Sequence, residues 1–309
     1  MKVLHQIRPE LAAMVTAQLA DVEMVAVASD REPDAAVRAE VLLTYPWGAP
    51  NLPQVLARGV RWVHLLGTGV DAFPLDLLTD QILTCSRAGS AVPIAEWVLA
   101  VMLAFEKNLP GAWISQPPAK PWGRAALGGL HGKTLGLVGW GGIAHAVAER
   151  ALPFGMNVHA FRRSPEPSDN PQVSIVGSLT DLAAAADHIV VAAASTASTR
   201  HIIDAGVFAA MKPGVHLINV ARGALIDQDA LRAALENGVV AMASLDTVEP
   251  EPLPAAHWLY SHPRVRLSPH ISWSMPSAAE RLLAPFIDNL RRYRDGRPLL
   301  GRVDIAAGY

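Results

Sequence analysis

Short apolar strings recur at near-regular spacing through the first 85 residues, at 3–4, 25–28, 41–43, 62–66 and 82–85. Each is too short for a helix and is bounded by polar or turn-forming residues, which predicts buried strands. Between them, 9–19 and 52–58 carry the periodicity of helices, and the alternation is that of a parallel sheet with crossover helices. Residues 93–107 predict a long helix rich in Ala, Leu and Trp with almost no polar face, the pattern of a helix buried between layers or domains. Pro117, Pro118, Pro121, Gly123, Gly128 and Gly129 then break the pattern. A second series of strands is predicted at 134–138, 158–161, 189–193, 216–220, 241–245 and 265–267, with helical stretches at 179–186, 205–211 and 228–236. That is a second open sheet of about six strands. A final helix, 277–294, is expected to return to the first sheet; two chain crossings between domains give a hinge and a cleft.

Composition narrows the class. The 309 residues are 51% hydrophobic and 17% charged, which excludes a disordered chain, and the length suggests two domains. With 26 basic and 28 acidic residues the net charge is −2, so no electrostatic footprint for nucleic acid or an anionic membrane is expected. The apolar run 97–105 is too short to cross a bilayer, and 1–10 carries no apolar stretch of signal-peptide length. The single cysteine, Cys85, excludes an intrachain disulfide and a cysteine-built zinc site, and a cytosolic protein is expected. No His/Asp/Glu cluster has ligand spacing, so no metal is expected.

Strand 134–138 runs directly into Gly139-Trp140-Gly141-Gly142-Ile143-Ala144 and then a helical stretch. This is G-x-G-x-x-A in the setting of a dinucleotide-binding turn. Gly139 permits the tight turn, Gly141 removes a side chain where backbone must approach a pyrophosphate, and Ala144 lets helix pack on strand. The helix N-terminus adds free amides and the positive end of its dipole. The following strand ends in Arg162-Arg163-Ser164, where NAD-binding folds usually place an acidic residue on the ribose hydroxyls. Two arginines and a serine suit a 2′-phosphate instead, so NADP(H) is favoured and NAD(H) stays open; a solvated surface pair is the alternative. The expected fold class is therefore α/β with two doubly wound parallel-sheet domains, Rossmann- and flavodoxin-like, and a cleft and hinge between them. Residues 1–89 and 273–309 form the expected substrate domain, and 90–272 the dinucleotide-binding domain.

Three further strand ends carry candidate chemistry. Strand 216–220 leads to Arg222, strand 241–245 leads to Asp246 and then Glu251-Pro252, and strand 265–267 leads to Ser268-Pro269-His270. An open α/β sheet places its ligand crevice at such ends, so a guanidinium, a carboxylate and an imidazole are expected in one crevice.

The ordered motifs G-x-G-x-x-A, N-V-A-R-G, D-x-x-x-x-E-P-L-P and S-P-H-I resemble those of the D-isomer-specific 2-hydroxyacid dehydrogenases, over almost the whole chain. That family includes glyoxylate/hydroxypyruvate reductases, D-lactate dehydrogenases and phosphoglycerate dehydrogenases. The loop 66–71 resembles its substrate-carboxylate loop, and 94–99 its interdomain helix signature. The resemblance implies hydride transfer between nicotinamide C4 and C2 of a small 2-oxo acid. Arg222 would bind the carboxylate and polarise the keto oxygen, a task for a fixed planar cation. His270 would be the general acid/base, and Glu251 would orient its ring and favour the protonated form. Backbone amides of Thr68, Gly69 and Val70 would hold the substrate carboxylate. Thr196 and Asp246 would lie near the cofactor, although Ala194 stands where relatives usually carry proline. Asp227 and Asp246 have turn or helix capping as their alternative role. Trp273 could wall the substrate pocket or pack at the hinge, and Tyr45 and Trp47 could face the cleft.

The resemblance further implies a homodimer through the dinucleotide domain. Other readings stay open. One is a dinucleotide-sensing, corepressor-like binding module without significant turnover. Another is a different dehydrogenase of the family, acting on phosphoglycerate or phosphite; formate enzymes typically have Gln where Glu251 stands. The chain is expected to lack the regulatory domain of longer phosphoglycerate dehydrogenases.

Overall fold

The structure is a computed structural model, and it describes residues 1–117, 123, 125–164 and 166–309. Pro118 and Pro121 of the pattern-breaking segment lie outside the described residues. The chain divides into two compact units, Met1–Ser90 with Met275–Tyr309, and Ala91–Ser274.

In the first unit β1 (Lys2–His5), β2 (Glu23–Ala26), β3 (Val41–Thr44), β4 (Trp62–Leu65) and β5 (Ile82–Cys85) form one parallel sheet in the order β2-β1-β3-β4-β5. The order reverses beside β1, as in flavodoxin-like sheets. β3 and β4 are buried at every position, because a parallel sheet is covered on both faces. On one face Val3, Val41 and Trp62 pack with α1 (Pro9–Gln18) and α8 (Ala278–Arg294), which contributes Leu283, Phe286, Ile287 and Leu290. On the other, Leu4, Leu42, Val63 and Leu83 meet α2 (Leu52–Leu56) and Val70 and Phe73 of the loop after β4.

The second unit opens with α3 (Ala91–Glu106). Its strands are β6 (Thr134–Val138), β7 (Asn157–Phe161), β8 (Val173–Ile175), β9 (His188–Val191), β10 (Val215–Asn219), β11 (Val240–Leu245) and β12 (Val265–Leu267). The seven strands are parallel in the order β12-β11-β10-β9-β6-β7-β8, a Rossmann arrangement that switches direction between β6 and β9. One strand more than expected is present: β8 has three residues, Val-Ser-Ile, and only Val173 is buried. So short an edge strand leaves no readable alternation. Helices α4 (Gly142–Ala151), α5 (Leu179–Ala185), α6 (Ala205–Ala210) and α7 (Gln228–Glu236) cover the sheet, with two separate apolar clusters on its two faces. The expectation that α3 is buried all round is corrected. Ala95, Val98 and Met102 are fully buried, whereas Glu96 and Ala100 are exposed and Trp97, Val101 and Ala104 are half-buried.

No helix among the described residues is long and apolar enough to cross a membrane, and no group of three or more His, Cys, Asp or Glu there could hold a metal ion.

Candidate active site

The glycine turn sits at the carboxyl end of β6. Gly139 has φ +100°, and a Cβ there would approach Ala193 Cα at 2.8 Å and its nitrogen at 2.9 Å, so only glycine fits. A Cβ on Gly141 would meet nothing within 4 Å, leaving that backbone bare. Side-chain caps close α5 through Ser178, α6 through Asp204 and α7 through Asp227, which fulfils the capping alternative for Asp227. Helix α4 starts at Gly141 with no side-chain cap, and among the described residues nothing accepts from the amides of Gly141, Gly142 or Ile143. Bare backbone, orphan amides and the helix dipole together fit a dinucleotide pyrophosphate.

Trp140 and His145 flank this turn with ring centroids 4.1 Å apart, and the Trp140 indole donates to Asp169 at 3.0 Å. At the end of β7, Arg162 and Ser164 are half-buried and Arg163 exposed. Arg162 lies 3.9 Å from the exposed carboxylate of Glu166. Thr196 opens the turn after β9: its amide donates to Thr199 Oγ1 at 2.8 Å, and that hydroxyl donates to Ala194 O at 2.7 Å. Thr199 thus holds the loop that Ala194, in place of proline, leaves without a rigid ring.

Three loops at the ends of β10, β11 and β12 assemble the chemistry. The side chain of Asn219 bonds the Ala221 amide at 3.0 Å and the Arg222 carbonyl at 2.9 Å, fixing the turn that carries Arg222. The guanidinium Nη1 donates to Ala221 O at 2.8 Å. Past β11, Asp246 is 2% exposed, and its carboxylate accepts from Ser268 Oγ at 2.5 Å and from the amides of Ile271 and Ser272 at 2.9 Å. Its oxygens thereby hold the 268–272 loop, so Asp246 anchors that loop, in keeping with the capping role expected as one of its two alternatives. The anchored loop holds His270 at φ +54°, a left-handed conformation unusual for a non-glycine residue.

His270 Nδ1 lies 2.8 Å from Glu251 Oε2, and Glu251 Oε1 accepts from the Val248 amide at 3.0 Å. The bond to Glu251 raises the His270 pKa above its ordinary value against the opposing effect of burial. For Glu251 burial pushes upward, but the bonds from His270 and Val248, with the nearby Arg222 charge, leave it below the usual range. The Arg222 charge acts on both groups, so guanidinium, carboxylate and imidazole share one electrostatic neighbourhood. The indole of Trp273 donates to His270 O at 2.9 Å, setting its ring beside the same loop.

In the first unit, the loop after β4 presents consecutive amides at Thr68, Gly69 and Val70 that nothing accepts from among the described residues. Tyr45 and Trp47, past β3, stack at 4.8 Å, and Trp47 is 65% exposed.

Residues 99–272 match the family model described as D-isomer specific 2-hydroxyacid dehydrogenase, NAD binding domain. The chain belongs to the D-isomer-specific 2-hydroxyacid dehydrogenases. This is a family of NAD(P)-dependent oxidoreductases. Glyoxylate/hydroxypyruvate reductase A of Serratia proteamaculans is 32% identical over 308 residues, 93% of this chain and 96% of that protein. D-3-phosphoglycerate dehydrogenase of Bacillus subtilis is 36% identical over 80% of this chain, but the chain spans only 48% of its length. The crystal structure of a D-isomer specific 2-hydroxyacid dehydrogenase from Xanthobacter autotrophicus in complex with NADPH and MES superposes with a TM-score of 0.81 at 26% identity, covering 100% of this chain and 99% of that one.

Within this dehydrogenase fold, the residues that sequence reasoning missed are supports. Asn219 stands inside the N-V-A-R-G motif and was legible there. The hydroxyl of Thr199 depends on loop geometry that carries no local signal.

Proposed function

We propose that this dehydrogenase reduces a small 2-oxo acid to a D-2-hydroxy acid, with NADP(H) favoured over NAD(H) and glyoxylate and hydroxypyruvate the first substrates to test. The observation that carries the reading is the 2.8 Å His270–Glu251 pair with the Arg222 charge acting on both. When bound, the reduced nicotinamide supplies the hydride for C2. His270, kept protonated by Glu251, donates a proton from Nε2 to the keto oxygen and takes one back in the oxidative direction. Arg222 binds the carboxylate and draws electron density onto the keto oxygen. The amides of Thr68, Gly69 and Val70, which have no acceptor among the described residues, are proposed to bind the same carboxylate.

Gly139, Trp140, Gly141, Gly142 and Ile143 are proposed to hold the pyrophosphate, and Thr196 the nicotinamide side. Trp273 is proposed to border the acid's side chain. Arg162, Arg163 and Ser164 are proposed for the 2′-phosphate, supported by the NADPH complex of the Xanthobacter relative. The pair that Arg162 makes with Glu166 is long and exposed, so a phosphate would compete easily. A homodimer through the second unit, on the half-exposed flank of α3, and a cytosolic location complete the proposal.

The test is NADPH and NADH oxidation by the purified protein over a panel of 2-oxo acids. Turnover that His270→Asn abolishes is expected; no oxidation with any acid and either cofactor would sink the reading. Arg162→Asp is expected to move the NADPH:NADH ratio of kcat/KM at least about tenfold toward NADH, the weight of a lost charge-assisted bond. An unchanged ratio would remove the 2′-phosphate assignment.

A further inference from the structure

Glu251 stands between Pro250 and Pro252, whose rings restrict its own backbone, and the structure shows what holds the segment across its neighbouring loops. Two residues earlier, the Glu249 carboxylate is gripped by both terminal nitrogens of Arg200, Nη1 to Oε1 at 2.9 Å and Nη2 to Oε2 at 3.1 Å. Arg200 follows the turn after β9 and Glu249 follows β11, and β10 lies between those strands. The pair therefore spans the loop that carries Arg222.

Beneath it the three loops are laced together. The amides of His201 and Ile203 donate to Ala224 and Leu225 at 2.8 and 3.0 Å, and Gln228 Nε2 donates to the Glu249 carbonyl. Gly223 lies so close under Val248 and Glu249 that a Cβ would overlap their backbone. With Glu249 held outward and Gln228 holding its carbonyl, the Glu251 side chain folds back onto the Val248 amide and His270.

We propose that Arg200 is a positioning residue for the acid/base pair, its two-pronged grip on Glu249 strapping the 248–251 segment across the Arg222 loop so that Glu251 stays on His270. An exposed ion pair does little for overall stability, but a bidentate guanidinium–carboxylate geometry is the exception that fixes orientation. Both partners are largely open to water, with side chains 53% and 38% exposed, so the strap acts on loop position more than on folding. Arg200 bonds Glu249 while His270 bonds Glu251, so the effect of the strap on the imidazole passes through Glu251. The inference rests on the reading of His270 as the acid/base group, and its primary readout does not need turnover.

The His270 pKa is measured by NMR titration of the whole protein, its ring signals assigned by their loss in His270→Asn. The charged groups facing His270, namely Glu251, Arg222 and Asp246, are left unsubstituted in every variant titrated. In Arg200→Ala the pKa is expected to fall by about half a unit toward the ordinary histidine value, as Glu251 leaves the imidazole part of the time. With a 2-oxo acid and NADPH, kcat above that pKa is expected to fall about three- to fivefold while KM moves less than about twofold. The exchanged pair Arg200→Glu with Glu249→Arg is expected to recover both, which a merely structural arginine would not allow. Should Arg200→Ala fail to fold, Glu249→Gln makes the same measurement. A His270 pKa identical to wild type in the single variants, or no recovery in the exchanged pair, overturns the proposal. Absence of turnover in the wild type would instead remove the reading of the reaction and leave the titration to decide the strap.

Discussion

His270 combines a strained backbone with a protonation state set by a neighbour. Its φ of +54° is held because its amide donates to Asp246 O and Ser268 O, both at 3.0 Å, while Asp246 grips the residues on either side. The Glu251 bond raises its pKa, so the protonated acid needed for reduction persists to higher pH than an isolated histidine allows. Reductive kcat is expected to fall as pH rises through that raised pKa. In Glu251→Gln the falling limb is expected to move about one unit toward acid, with kcat at neutral pH lower by about tenfold or more; a pH–rate profile in both proteins is the check. A limb that stays in place would assign the titration to another group. Arg222, Glu251 and His270 could be singled out because each stands in a short motif at a strand end. The loop-anchoring bonds of Asp246 were not legible, because what its carboxylate binds lies more than twenty positions along the chain and is chosen by tertiary folding.

At the scale of elements, apolar strings marked most strands to within a residue or two, since strands covered on both faces must be apolar throughout. The pattern failed where that rule relaxes: at the short edge strand β8, and on α3, whose uniformly apolar sequence includes a flank not covered within its unit. Loop crossings left the weakest trace. Gly223 reads as a member of the N-V-A-R-G motif, yet its requirement comes from the Val248–Glu249 backbone lying directly over it. Gly223→Ala must push that segment away, because backbone cannot rotate aside as a side chain can. The expected outcome is a loss of about 1–3 kcal/mol in stability, with kcat falling more than the stability loss explains because the Glu251 loop moves. Denaturant midpoints and single-turnover rates measured together test this; unchanged turnover in a folded variant would contradict the crossing.

Across the whole molecule, both doubly wound sheets were legible from the alternation of strings and helices, and the buried histidines beneath them were not. His64 in β4 bonds Thr84 Oγ1 at 2.7 Å and lies against Phe286, and burial pushes its pKa down to about 3. In the second unit His188 and His216 meet Nδ1 to Nδ1 at 3.2 Å; only one of two neutral rings can donate there, and a proton added to the acceptor breaks the bond. Burial lowers His188 to about 4 in spite of Glu106, which lies 3.0 Å from its Nε2 but off the line of a well-directed bond, and burial lowers His216 as well. All three are neutral in the folded chain and titrate near 6.5 when unfolded, so below that pH the unfolded chain binds more protons. Stability is therefore expected to fall as pH drops from about 6.5 toward 4, with a slope near 1.4 kcal/mol per unit for each group and on the order of 3 kcal/mol from His188 alone. His270 works in the opposite direction, stabilising below its raised pKa and losing that contribution as pH rises through it. With its side chain 41% exposed, its share is screened by solvent and cannot offset three buried rings. Replacing His64 with glutamine keeps a side chain able to bond Thr84 but removes the titrating group. Urea midpoints of His64→Gln should therefore decline less steeply than wild type between pH 6.5 and 4, by about one group's slope. Parallel lines would mean that His64 takes up its proton in the folded state as it does unfolded, placing a charge inside the first sheet beside the neutral hydroxyls of Thr84 and Ser86.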